Sequence, residues 1–512
     1  MSETELKFQV PAGQRASVDA AVAGRAPRRR IRLQAAYFDT PDRALARAGL
    51  ALRVRREGRI WVQTLKGQTE DSMTRIEHNV MLGSAPGVPV ANPALHAEAA
   101  GADALAAVLA QAPGETLSVV YRTDILRRTR AVRTPVGTVE LAFDTGRIVS
   151  GAATIGVREL EIELLSGSPL AVIEVARRWL SRHGLWLDSR SKAERGDLLA
   201  RGETSAAPRL ALPVALAPDM APRRAWQVVL RSCADQIVVN ASQIASGEFA
   251  AEHVHQLRVG LRRLRSAIRL FPFVPTEATL GEAAAQTFRL LGAARDQAVM
   301  AAEFGGELQR AWQSAGMAAE IRLEPAPPAE DPAAVVRDPA VQRLLLDLLS
   351  LAGAAPEPQR ADAEHKTADQ IDVRDRLAAQ LGRWHQSAAA DAKRFAELDD
   401  AARHRLRKRI KRLRYAVEFC EALFERGDVR RYLRPLRALQ DRLGAINDGA
   451  VAMQAFHDAC IAGVGGARAG FALGWLSARR EVLVAEARPA LKGFARAKPF
   501  WKSSSRRAPR RA

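Results

Sequence analysis

Glu159-Leu160-Glu161-Ile162-Glu163-Leu164 alternates acid and aliphatic residue without a break. Successive side chains of a strand point to opposite faces, so this stretch sets three carboxylates on one face and three apolar groups on the other. The N-terminus repeats the pattern, with Glu3, Glu5 and Lys7 alternating with Thr4, Leu6 and Phe8. Val139 to Phe143 and the residue after them add Glu140 and Asp144. Carboxylates two residues apart on a strand stand about 6.6 Å apart. Where several such strands face one closed interior, their repulsion calls for a cation. Hard carboxylate oxygens select Mg²⁺ or Mn²⁺ over zinc, and Mg²⁺ characteristically combines a few carboxylates with substrate phosphates.

Basic alternations oppose these acidic stretches: Arg53 with Arg55, Lys66 behind Thr64, Arg75 with Glu77, then Arg122, and Lys192 with Arg195. Arginine grips phosphate oxygens with a planar fork and lysine with a point charge. One alternating strand by itself reads as the wet side of an ordinary sheet. At least five, with acids on the first and last and bases between, favour a ligand-filled interior. No Ser/His/Asp or Cys/His pairing is evident, and no Walker glycine loop, which excludes a P-loop mechanism at the level of motifs.

The 512 residues argue for more than one globular unit. Lys and Arg number 77 against 57 Asp and Glu, a net charge of +20 that points to polyanionic partners. Three cysteines are too few for a disulfide framework or a zinc knuckle, and they fit a reducing compartment. Strand periodicity runs to about Arg201, broken by helical stretches near 94–111 and 169–183. Residues 1–203 therefore form one domain, 204–222 an Ala/Pro-rich linker, 223–497 a helical domain with halves of about 223–323 and 336–497, and 498–512 a basic tail. The start lacks a basic segment followed by an apolar run, and prolines interrupt the longest uncharged stretch, 78–97. The expectation is a soluble cytoplasmic protein without a membrane partner.

The helical half contains a repeat. His255-Gln256-Leu257-Arg258-Val259-Gly260-Leu261-Arg262-Arg263-Leu264-Arg265 aligns without gaps on His404-Arg405-Leu406-Arg407-Lys408-Arg409-Ile410-Lys411-Arg412-Leu413-Arg414. Downstream, Leu291-Gly292-Ala293-Ala294-Arg295-Asp296 matches Leu443-Gly444-Ala445-Ile446-Asn447-Asp448. Val254, Leu257, Leu261, Leu264 and Ile268 make an apolar seam at helical spacing, and the basic stripe follows one residue later, about 100° around the helix. Such stripes, with eight Lys or Arg between Arg403 and Arg414 and no acid, call for a polyanion or for solvent.

Two families share these patterns. Glu3-x-Glu5-x-Lys7, Tyr37-Phe38-Asp39-Thr40, Leu52-Arg53-Val54-Arg55, Leu65-Lys66, Arg75-x-Glu77, Glu161-x-Glu163 and Ser191-Lys192 resemble the CYTH domain of the triphosphate tunnel metalloenzymes. The resemblance implies an eight-stranded antiparallel β tunnel, in a multidomain α+β chain, that hydrolyses inorganic triphosphate or a related triphosphate with Mg²⁺ or Mn²⁺. It implies Glu3, Glu5, Asp144, Glu161 and Glu163 as metal ligands, the choice among Glu159, Glu161 and Glu163 staying open. It implies Lys7, Arg53, Arg55, Lys66, Arg75, Arg122 and Lys192 as phosphate-binding catalytic residues. The repeated phrase resembles the CHAD domain, an all-α duplicated bundle that binds inorganic polyphosphate. There the site residues are His255, Arg258, Arg262, Arg265, His404, Arg407, Lys411 and Arg414, and the implied location includes polyphosphate granules. A class IV-type adenylate cyclase and a nucleic-acid-binding protein are the rival readings; scarce aromatics, 5% of residues, weigh against the latter.

Overall fold

A computed structural model describes residues 2–24, 30–68, 74–111, 116–274, 278–292, 305–317, 321, 330–353, 372–461, 463 and 466–502. Arg295 and Asp296 of the repeated phrase, most of the second Pro-rich break and the tail beyond 502 lie outside the described residues.

The strands are β1 (Ser2–Gln9), β2 (Arg30–Asp39), β3 (Leu50–Glu57), β4 (Ile60–Gln68), β5 (Thr74–Gly83), β6 (Ser118–Thr134), β7 (Gly137–Ser150), β8 (Ala153–Gly167) and β9 (Trp186–Leu187). They pair in the order β5-β4-β3-β2-β6-β7-β8-β1-β9, and β1 pairs back onto β5. The first eight thus close the expected antiparallel tunnel. The ninth is a two-residue strand that borders β1 at Phe8 and Gln9, beyond where β1 pairs with β5. Closure removes the open edges that would otherwise invite aggregation.

Helices α1 (Arg15–Ala23), α2 (Ala44–Arg47), α3 (Ala102–Ala110), α4 (Leu170–His183) and α5 (Lys192–Arg201) accompany the strands. Then come α6 (Pro222–Ala245), α7 (Ala251–Leu270), α8 (Ala278–Leu290), α9 (305–314), α10 (Pro332–Arg337), α11 (Pro339–Gly353), α12 (Val373–Lys393), α13 (Asp400–Phe419), α14 (Arg426–Ile461) and α15 (Gly466–Arg496). The apolar seams behave as helical spacing demands: Leu257, Leu261 and Leu264 on α7 and Leu406, Ile410, Leu413 and Val417 on α13 are buried. Among the described residues no helix is long and apolar enough to cross a membrane.

Packing divides the chain differently from composition. One compact unit is Met1–Leu210 with Ala234–Leu257 and Pro332–Ala355; the other is Ala211–Cys233, Arg258–Asp331 and Pro356–Ala512. In the first unit, the start of the Ala/Pro-rich stretch is tied down by its backbone. Ala206 N donates to Gln243 Oε1 at 3.3 Å, Arg209 N to Asn240 Oδ1 at 3.2 Å, and Asn240 Nδ2 to the Arg209 carbonyl at 2.9 Å. His253 Nε2 lies 2.9 Å from the Ala206 carbonyl.

On the outer side of β4 and β5, buried Gln63 clamps the loop before α3. Its amide donates to the Asn92 carbonyl at 2.7 Å and accepts from Asn92 N at 2.8 Å, and it lies 3.0 Å from His96 Nε2. His96 Nδ1 is 2.8 Å from His78 Nδ1. Burial, with His78 beside it, pushes His96 down to about 4. The folded state therefore prefers neutral His96, and its contribution is fully present above about 6.5 and is lost as pH falls through about 4. Urea midpoints should drop between pH 7.5 and pH 4.5 in the unmodified chain and drop less in His96→Gln; parallel curves for the two would refute this.

Candidate active site

Strand register assembles the site. Across β1 and β8, Lys7 faces Glu161 and Glu5 faces Glu163; across β7 and β8, Asp144 faces Glu159; across β6 and β7, Arg127 faces Asp144. On the other wall Lys66 of β4 faces Glu77 of β5, and Arg53 of β3 faces Tyr37 of β2. Glu5, Lys7, Arg53, Arg55, Lys66, Glu77, Arg127, Asp144, Glu161, Glu163 and Lys192 line one cavity of about 590 Å³. Its β2/β6 side is apolar, with Leu33, Ala35, Ile125 and the stacked rings of Tyr37 and Tyr121, 4.6 Å apart.

Carboxylate oxygens of Asp144, Glu159 and Glu161 lie within 4.8 Å of one another. Lys192, at the first position of α5, bonds all three: its Nζ is 2.7 Å from Asp144 Oδ2 and 2.8 Å from Glu161 Oε1, and it also contacts Glu159. Arg127 grips Asp144 with Nε and Nη2, both at 2.7 Å, and reaches Glu161. Arg195 holds Glu159. Burial works to raise the Glu161 carboxyl, but Arg127, Lys192 and Lys7 hold it well below the ordinary range. At Glu159 burial prevails, and the carboxyl is raised despite Lys192 and Arg195. Burial also works to lower Lys192, yet Asp144, Glu159 and Glu161 raise it. Three hard oxygen donors converging out of water are the kind of donor set that hard cations take. The ammonium bonded to all three marks where positive charge is required.

Local structure delivers these groups. Ser191 caps α5: Glu194 N donates to Ser191 Oγ at 3.1 Å, and Ser191 N donates to Glu194 Oε2 at 2.6 Å, the reciprocal capping box. Gly196 lets α5 lie against Tyr121, because a Cβ there would stand 2.3 Å from two ring carbons. Asp197 pairs with Arg43 at 3.1 Å, and Arg43 adopts φ 63°, unusual for a residue other than glycine. Asp39 of the Tyr37-Phe38-Asp39-Thr40 motif caps α2, accepting from Thr40 N at 2.8 Å, Leu45 N at 2.9 Å and Ala46 N at 3.0 Å. Burial raises the Tyr37 hydroxyl, but the charge and hydrogen bond of Arg53 outweigh it and lower it.

Of the residues expected from sequence, Lys7, Arg53, Arg55, Lys66, Lys192, Glu5, Asp144, Glu161 and Glu163 line this cavity. Glu3 and Arg75 pair by backbone across β1 and β5, and their side chains lie outside the described residues. Arg122 is exposed on the outer face of β6, because Tyr121, Thr123, Ile125 and Arg127 take the inner one. Arg127 is the residue that sequence reasoning missed. Its odd-numbered parity with Thr123 and Ile125 was the available signal, masked by Arg128 and Arg130 alongside.

In the helical half several stripe residues are already engaged. Arg258 is buried and donates to the carbonyls of Leu291 and Gly292, just past the end of α8, at 3.0 and 2.9 Å, with its guanidinium 4.7 Å from the Phe288 ring. Arg262 lies over the same ring at 5.4 Å. His404 bonds Asn447, Arg407 lies 3.6 Å from Asp448, and Arg414 reaches Gln440 and Glu418. His255 and Lys411 are half-buried on α7 and α13. Beside His404 is a second cavity of about 500 Å³, lined in part by Arg403, Asn447, Gln454 and Asp458. Arg265 is lowered by burial and by Arg269 and Arg289; Arg412 is lowered by burial and by Arg269, Arg409 and Arg265. Cations from α7, α8 and α13 thus crowd one another.

The CYTH domain model matches residues 1–196 and the CHAD domain model residues 228–457. An inorganic triphosphatase from Haemophilus influenzae is 30% identical over 166 residues, 32% of this chain and 44% of that protein. The match therefore spans less than half the length of that relative. The crystal structure of the CHAD domain from the plant Ricinus communis matches at 27% identity and TM-score 0.45, covering 58% of this chain and 99% of that one. The PH1819 protein from Pyrococcus horikoshii matches at 19% identity and TM-score 0.24, covering 38% of this chain and 97% of that one.

Two substitutions probe this geometry. Helix propensity alone would make Gly196→Ala stabilising by about 1 kcal/mol. The Tyr121 contact reverses the sign, and a net loss of about 1–3 kcal/mol is expected from overpacking. A raised melting temperature would contradict it. Arg258→Leu should cost about 1–3 kcal/mol by leaving two buried carbonyls without their donor, read by urea denaturation; an unchanged midpoint would return Arg258 to the set of free ligand-binding groups.

Proposed function

From the premise that the chain is a CYTH domain followed by a CHAD domain, we propose that it hydrolyses inorganic triphosphate with Mg²⁺ or Mn²⁺ and binds inorganic polyphosphate through its helical half. The observation that carries the catalytic reading is the convergence of Asp144, Glu159 and Glu161, two of which, Asp144 and Glu161, line a cavity that also bears Arg53, Arg55 and Lys66. An ordinary structural ion pair does not need three carboxylates to converge.

Asp144, Glu159 and Glu161 would hold the metal, with Glu5 and Glu163 facing the same cavity. When bound, the metal supplies charge neutralisation at phosphate oxygens and a more acidic water. The chain's own groups bind and orient. Arg53 and Arg55 offer planar forks to non-bridging oxygens, while Lys7 and Lys66 offer point charges. Lys192 and Arg127 each contact more than one of the three carboxylates and line the cavity, so they are placed to meet a phosphate bound beside them. Charge accumulating on the departing phosphate is met by groups fixed beforehand and half-dry, where each contact counts for more than in water. Tyr37 holds Arg53 in place through its hydroxyl.

For the helical half, the crowding of Arg265, Arg269, Arg289 and Arg412 supports a polyanion site, because a bound phosphate chain relieves their mutual repulsion. The reading carries a cytoplasmic location at polyphosphate granules.

A phosphate-release assay with Mg²⁺ or Mn²⁺ tests the first part. Glu161→Gln and Asp144→Asn should each lower kcat/KM for triphosphate by at least about a hundredfold, with a lowered melting temperature because Arg127 and Lys192 lose a buried partner and with the chain still folded at the assay temperature by circular dichroism. Turnover unaffected by both would overturn the carboxylate assignment, and cyclic AMP as the main product from ATP would establish the cyclase instead. Arg265→Gln with Arg412→Gln should weaken polyphosphate binding and flatten its log–log salt dependence by roughly one to two units; tighter binding of nucleic acid than of polyphosphate at matched salt would overturn the second part.

A further inference from the structure

The residues just before Lys192 are held through their backbone N–H groups. The stretch 186–191 leaves β9 and runs along β1 into α5. In an extended chain successive N–H groups point to opposite sides. Asp188 N faces β1 and donates to the Lys7 carbonyl at 2.9 Å. The N–H groups of Leu187 and Ser189 point the other way, where the tunnel has no further strand to offer. Two side chains from helices meet them. Leu187 N donates to Gln342 Oε1 on α11 at 2.7 Å, and Ser189 N donates to Ser242 Oγ on α6 at 2.9 Å. Ser242 and Gln342 are 1% and 0% exposed, so water does not substitute for them. Gln342 is itself fixed, its Nε2 donating to the Val336 carbonyl at 2.8 Å.

We propose that Ser242 and Gln342 are positioning residues for Lys192. Both fall within the span matched by the CHAD model and in the same compact unit as the tunnel. Ser189 stands three residues before Lys192, and Ser191 between them is the cap from which α5 starts. Fixing the 189 backbone fixes where the helix begins and so where the ammonium lies. Without these acceptors the Leu187 N–H loses its buried partner and the Ser189 N–H loses the Ser242 oxygen. Each such loss favours local opening by about tenfold. The segment then swings toward water, carrying Lys192 off Asp144, Glu159 and Glu161. The CHAD-matched span thereby contributes to the chemistry of the CYTH-matched one.

The inference rests on Lys192 acting in the tunnel, and its test separates the two. In the full chain, lysines are acetylated with trace acetic anhydride and quantified by mass spectrometry in Ser242→Ala, Gln342→Leu, their combination and Ser242→Thr. Labelling of Lys192 should rise about tenfold in each single variant and about a hundredfold in the combined one, with Lys7 and Lys66 held within about twofold, and Ser242→Thr, which keeps the acceptor, should stay at the unmodified rate. The KM for triphosphate should rise about tenfold with a smaller change in kcat, since a displaced phosphate contact weakens binding first. Lys192 labelling at the unmodified rate, or all three lysines rising together, would overturn the proposal. Should the combined variant not fold, Ser242→Ala, which removes one oxygen, gives the same comparison. Absence of phosphate release from triphosphate by the unmodified chain would refute the catalytic reading, while the labelling of Lys192 would still decide whether Ser242 and Gln342 position it.

Discussion

Buried carboxylates that repel one another must be neutralised where they stand, and much of the tunnel follows from that. Asp144 and Glu159 are fully buried. An ion removed from water loses several kcal/mol of effective solvation, far more than an exposed ion pair returns. Cations must therefore be delivered with hydrogen-bond geometry rather than left to drift nearby. Arg127 arrives by the β6–β7 register, whereas Lys192 and Arg195 arrive one turn apart on α5. The helix can bring them only if it approaches closely, hence Gly196 against Tyr121, and only if it starts at a fixed residue, hence the Ser191 and Glu194 capping box.

The same requirement explains why the lumen is divided. Acids gather on β7, β8 and β1, while β3 and β4 carry Arg53, Arg55 and Lys66 against Glu77. Burial and then the neighbouring Arg53 depress Arg55, against the pull of its partner Glu57. Each wall thus carries its own counter-charges, Lys192 and Arg127 among the acids and Glu77 among the bases.

Sequence alone revealed this wall structure because alternation is a strict rule: every second residue of a strand shares its face. Glu159-Leu160-Glu161-Ile162-Glu163-Leu164 announces its inner face without any knowledge of its neighbours. The rule fails where both parities are charged. On β6, Arg127, Arg128 and Arg130 offer a cation to either face, and only Thr123 and Ile125 fix the phase, so Arg122 falls outside and Arg127 inside. Glu159 is ambiguous in sequence for a different reason. Which of three equivalent acids lies nearest Asp144 depends on the β7–β8 register, and register is a property of two strands, not one. Ser242, Gln342, Asn240 and Gln243 carry no signal at all, since a single polar residue on a helix reads the same whether it meets water or a buried backbone.

The repeat in the helical half separates what duplication preserves from what it does not. The apolar seam is buried in both copies, because it packs each helix into its bundle. The polar positions have diverged: Arg258 is buried and caps the carbonyls after α8, while its counterpart Arg407 is half-exposed and lies near Asp448. Equivalent letters thus do different work, one holding a helix end and one held by a carboxylate on α14. What the two copies still do jointly is bring Arg265 and Arg412, one from each, into mutual repulsion with Arg269. Like charges kept together are compensated by solvent or by a ligand. The strongest claim to ligand binding in this half therefore belongs to the residues that repel one another, rather than to those whose partners are already in place.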